Sequence, residues 1–133
     1  MRFSKGMLQL IDFKNSQLFK LSQVPTNTFA DILRPLLLKD ERVLSAYQTV
    51  RDGVVFTDLR ILTINVQGAA GKKIDVSSLP YRSIRAFSVE STGVLDSDCE
   101  LEIYVSSVGN IKFDFEGKAD IELICKMISA CCL

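Results

Sequence analysis

Histidine and tryptophan are absent, and only three prolines interrupt 133 residues. Without histidine, the commonest zinc ligand and the commonest general base at neutral pH are both missing. Four cysteines stand at 99, 125, 131 and 132 without the CxxC spacing of a zinc site or redox motif, and the adjacent pair Cys131-Cys132 suits no ordinary disulfide. They read as small apolar residues of a core or an interface. Net charge is missing too: sixteen basic residues balance sixteen acidic ones, so no long-range field recruits nucleic acid or an anionic membrane. No apolar run approaches the roughly eighteen residues a membrane span needs. Met1 to Leu21 breaks its apolar pairs with Lys5, Asp12 and Lys14, unlike a signal peptide. The expected location is the cytoplasm, and neither a metal nor a cofactor is called for.

What is present is strand pattern, clearest between Arg51 and Pro80. Val54 to Thr57 is β-branched and aromatic, and in Arg60 to Val66 the residues Leu62, Ile64 and Val66 alternate with Thr63 and Asn65. Thr57-Asp58 suits a tight reversal, because a short Asp side chain can accept from the backbone two residues on. Gly68 and Gly71 supply a second turn, after which Lys72 to Leu79 is extended and stops at Pro80. The stretch predicts a three-strand meander.

The residues Glu41, Arg51-Asp52, Thr57-Asp58-x-Arg60, Gly71-Lys72-Lys73, Pro80-Tyr81-x-Ser83-Ile84 and Phe87-Ser88-Val89-Glu90 give the chain a pattern that resembles the bacterial pleckstrin-homology-like domain family, formerly a domain of unknown function. The resemblance covers Leu36 to Leu133. It implies a small, bent antiparallel barrel or sandwich of about seven strands capped by one C-terminal helix, ring-like homo-oligomers, and no enzymatic activity.

Read in order, Met1 to Asn15 shows no clear period and is expected to be an arm, and Ser16 to Gln23 suggests one or two helical turns ahead of Val24-Pro25. Thr28 followed by Asp31 starts a short helix from Phe29 that Pro35 ends, and Leu36-Leu37-Leu38 is expected to be buried. These residues, 1–38, form a short helical extension to a barrel over 39–133. The first strand is expected from Arg42 to Val50, with apolar residues in no strict alternation, as for a strand covered on both faces or strongly bent. A later strand, Ile84 to Ser91, ends at Ser91-Thr92-Gly93. The cleanest hairpin follows: Cys99, Leu101, Ile103 and Val105, then Ile111, Phe113 and Phe115, alternate with polar residues on either side of Val108-Gly109-Asn110. Ala119 to Cys132 reads as the terminal helix, with Asp120 in its first turn. Its later polar side chains, Glu122, Lys126 and Ser129, share one narrow stripe, leaving more apolar surface than one barrel mouth covers.

Candidate chemistry is sparse. Eukaryotic pleckstrin-homology domains that bind inositol phosphates converge Lys and Arg on a long first loop. The equivalent turn here, Val50 to Gly53, is short and sets Arg51 beside Asp52. Lys72, Lys73, Arg82 and Arg85 form a candidate anion patch, weighed against an ordinary solvated loop. Asp96-x-Asp98-x-Glu100 lacks the glycine and the distal Glu of a calcium loop, its sixth and twelfth positions being Leu101 and Ser107, so this segment reads as a solvated strand edge. Asp58 with Arg60 reads as a turn-stabilising pair. Leu123, Met127 and Ala130 are the candidate oligomer interface.

The sequence therefore favours a non-enzymatic oligomeric protein-interaction or scaffold module: a homo-oligomer, a ring by the family resemblance, with an unknown protein partner and no nucleic acid. The alternative is a module for a membrane surface or an anionic lipid headgroup.

Overall fold

The computed structural model describes residues 18–67, 73–91, 98–117 and 119–132. The arm at 1–15, the glycine turn at 68–71, the strand end at Thr92-Gly93 and the last residue, Leu133, lie outside the described residues. The strands are β1 (Leu18–Val24), β2 (Val43–Gln48), β3 (Gly53–Thr57), β4 (Arg60–Gln67), β5 (Lys73–Pro80), β6 (Ile84–Ser91), β7 (Cys99–Val105) and β8 (Gly109–Phe115). A short helix α1 (Ala30–Leu33) follows β1, a 3-10 turn (Tyr81–Ser83) links β5 to β6, and helix α2 (Ile121–Cys132) ends the chain. Pairing runs β5-β4-β3-β2-β1-β8-β7-β6, a mainly β, sandwich-like sheet that bends around a core without closing.

Strand β1 corrects the helical turns expected within Ser16 to Gln23. Its first half pairs parallel with β8 and its second half antiparallel with β2. The bend between them falls at a register shift between Leu18 and Leu21, where Lys20 has φ 52°. Backbone partners on both sides override a weak local helical pattern. The other neighbouring pairs are antiparallel.

Strands β2 to β4 are covered on both faces, as the irregular apolar pattern of β2 anticipates. Inside, Tyr47, Phe56, Phe113 and Phe115 meet with edge contacts such as Tyr47 to Phe115, whose centroids are 4.9 Å apart. Outside, α1 lays Phe29 and Leu33 over Ala46, Val55, Leu62 and Ile64. A Cβ at Gly53 would fall on the Phe29 ring, so glycine at this position admits the second layer.

Helix α2 packs against the 3-10 turn and β6. It buries Ile121, Ile124 and Ile128, each contributing about 1.5–3 kcal/mol of hydrophobic stabilisation. Tyr47 Oη accepts the Asp120 backbone N–H at 2.9 Å, which ties the start of the helix to the core aromatics.

The Leu36-Leu37-Leu38 run is only partly as expected. Leu37 packs on the outer cluster, but Leu36 and Leu38 are exposed, Leu38 by 62%. The four-residue α1 and Leu37 cover the outer cluster, and Leu36 and Leu38 belong to neither buried cluster among the described residues.

Candidate functional site

The segment after α1 is organised by Glu41. Its carboxylate accepts from Arg60 Nε and Nη2, both at 2.8 Å, from the Thr57 hydroxyl at 2.7 Å and from the Leu38 backbone N–H at 3.0 Å. Burial alone would raise this carboxyl. The Arg60 guanidinium, with the Leu38 and Thr57 donors, outweighs burial and holds it at about 2. Arg60 also reaches the Leu36 carbonyl and Ser78 Oγ, so its guanidinium is committed to structure. The Asp58–Arg60 pair expected from the sequence is thereby corrected: Arg60 belongs to Glu41, and Asp58 accepts the Arg42 backbone N–H. The reversal between β3 and β4 is held by Thr57, whose hydroxyl accepts from the backbone of Leu59 and Arg60.

Beside this node lies a half-open groove of about 600 Å³. Its apolar walls are Leu38, Leu59 and Pro80, and Arg60, Ser78, Arg82 and Cys131 complete it. It is assembled from the loop before β2, the β3–β4 reversal, the end of β5, the 3-10 turn and the last turn of α2. Tyr81 fixes the 3-10 turn by donating its buried hydroxyl to the Thr57 carbonyl at 2.6 Å. From the other side the Cys132 thiol donates to the Tyr81 carbonyl, also at 2.6 Å. Among the described residues no acidic side chain lines the groove. Sequence reading singled out Arg82 but missed the groove, whose walls come from five separate segments.

The remaining candidates are dispersed. Lys72 lies outside the described residues. Lys73 opens β5, whereas Arg82 follows its end, about 25 Å of extended chain away. Arg85 is exposed on β6. Lys73 and Arg82 therefore sit at opposite ends of β5. Of the acidic segment, Asp96 is not described, Asp98 accepts the Gly117 N–H, Glu100 faces Lys112 at 3.8 Å and Glu102 accepts from Asn110. No group of three or more possible metal ligands occurs among the described residues.

On α2, Met127 packs on the inner core, Leu123 is half-buried and Ala130 is exposed. These three run along the flank of the helix. The cysteines divide likewise: Cys99 is buried, Cys125 and Cys132 are half-buried, and Cys131 is exposed at the groove. Burial pushes the Cys125 thiol up to about 11. No described helix is long and apolar enough to cross a membrane.

Comparison with known proteins agrees with this architecture. The uncharacterized protein YjqA of Bacillus subtilis (strain 168) is 37% identical over 123 residues, covering 91% of this chain and 98% of that protein. YozO of the same organism, also uncharacterized, is 32% identical over 100 residues, covering 75% and 84%. A DUF1696 family protein with a pleckstrin-homology domain from Shewanella loihica PV-4 superposes with a TM-score of 0.71 at 32% identity, covering 86% of this chain and 99% of that one. A pleckstrin homology domain from Shewanella amazonensis SB2B gives 0.59 at 35% identity, covering 84% and 91%. The bacterial PH domain family matches residues 12–132, and with its sheet, terminal helix and relatives in agreement, the chain belongs to that family.

Proposed function

We propose that this protein is a non-enzymatic, homo-oligomeric protein-interaction module acting as a scaffold. The observation that carries the reading is the free edge of β6. Among the described residues the strand pairs with β7 alone, and Arg85, Ala86, Phe87 and Ser88 are exposed in succession. The register shift against β7 lies at the start of the strand, between Ile84 and Ala86, and the edge beyond it, with its exposed Phe87, is a template for another chain. Helix α2, which carries Leu123, Met127 and Ala130, packs beside this strand. The separation of Lys73 from Arg82 along β5 lends less support to an anionic headgroup site.

Native mass spectrometry tests the proposal. Peaks at a fixed multiple of 14.8 kDa are expected, and a spectrum holding only the single-chain mass contradicts it.

A further inference from the structure

We infer that the groove between Leu38, Leu59, Pro80 and Arg82 is a docking site for an extended segment of a partner protein that carries an apolar side chain next to a carboxylate. The inference rests on the reading of this chain as a protein-interaction module and names the chemistry of one partner. Three observations converge. The volume, about 600 Å³, lies within the range of specific binding clefts, yet the groove is half-open, a shape for a chain passing through and not for an enclosed small molecule. Its apolar walls are presented to solvent, Leu38 by 62% and Leu59 by 47%, beside the carbon stem of the exposed Arg82. Its charge is of one sign. Arg60 is neutralised by Glu41, while among the described residues the Arg82 side chain has no ion pair or hydrogen bond and no acidic side chain lines the groove. A carboxylate placed beside an apolar residue satisfies both features at once, and a fork-shaped guanidinium is the side chain suited to hold it.

The walls are also prepared before any ligand arrives. Glu41 fixes the backbone of Leu38, the Thr57 hydroxyl fixes that of Leu59, and Tyr81 anchors the turn that carries Arg82. Little ordering entropy therefore opposes binding.

Cys131 gives the site its own reporter, since its exposed thiol lines the groove. The probes are two pools of acetylated, amidated hexapeptides with random Leu, Ile, Val and Phe around one fixed Glu, or around one fixed Lys. The Glu pool is expected to slow alkylation of Cys131 by iodoacetamide and the Lys pool is not. Arg82→Glu, at an exposed position, is expected to weaken Glu-pool binding by about tenfold or more, and Arg82→Lys by less. Equal effects of the two pools, protection that survives Arg82→Glu, or a Cys131 already unreactive in the free protein because another copy covers it, would each overturn the proposal. Masses recorded on the same samples separate the two readings. An intact oligomer without protection sinks the groove alone, and protection of a monomer sinks the oligomer alone.

Discussion

Glu41 and Arg60 form a two-pronged ion pair, Nε to Oε2 and Nη2 to Oε1, in which the carboxylate side chain is fully shielded from solvent. The pair holds the chain between α1 and β2 onto the start of β4. Removing one partner strands a buried charge, so Arg60→Ala is expected to cost about 3–5 kcal/mol in urea unfolding. Arg60→Ala with Glu41→Ala is expected to cost clearly less than the sum of the two single changes. Additive losses would show that the pair is not coupled.

The same carboxyl predicts a pH dependence. Its folded pKa, about 2, lies below its ordinary value of 4.5, so the unfolded chain binds the proton more readily. The stabilisation is therefore complete above about pH 4.5 and declines as pH falls toward 2, by about 3 kcal/mol in all. Glu41→Gln is expected to flatten this acid limb in denaturation curves taken between pH 5 and pH 2, roughly the window over which the group titrates. An unchanged limb would place the acid sensitivity elsewhere.

Gly53 and Phe29 make the next case. Gly53→Ala drives a methyl group into the Phe29 ring and is expected to destabilise by about 1–3 kcal/mol. Adding Phe29→Ala makes room for that methyl, so the alanine at 53 should cost almost nothing in that background. A full cost in both backgrounds would mean that backbone preference, and not the ring, demands glycine.

How much of this was legible depended on whether one segment or several produced a feature. The β7–β8 hairpin and α2 could be read directly, because alternation in Cys99 to Phe115 and helical spacing in Ile121 to Cys132 are local signals. Strand β1 could not, since Lys20 bends it between β8, near the other end of the chain, and β2, which follows only after α1. The outer cluster was hidden for the same reason: only when Phe29 and Leu33 cross over Val55 and Leu62 does the continuous apolar character of β3 explain itself. At the groove, Arg82 stood out as a charge, but nothing in the spacing joins it to Leu38 or Cys131. Glu41 and Arg60, 19 positions apart, appeared only within the family pattern, and the local reading gave Arg60 the wrong carboxylate.

The β6 edge makes a further prediction. Ala86→Lys with Ser88→Lys places two charges on an exposed strand that has few core contacts, so the fold should survive by circular dichroism. Assembly through that edge is expected to fall to smaller species, because like charges then face any incoming strand. An unchanged mass would move the contact to the α2 flank, where Leu123→Glu with Ala130→Glu is the matching test.

The most direct measurement is light scattering coupled to size exclusion over a dilution series from about 100 µM to about 1 µM, a range in which specific assemblies separate from chance contacts. The account predicts a mass of at least twice 14.8 kDa that is a whole-number multiple of it and holds through most of the series. A mass of 14.8 kDa at every concentration would contradict it.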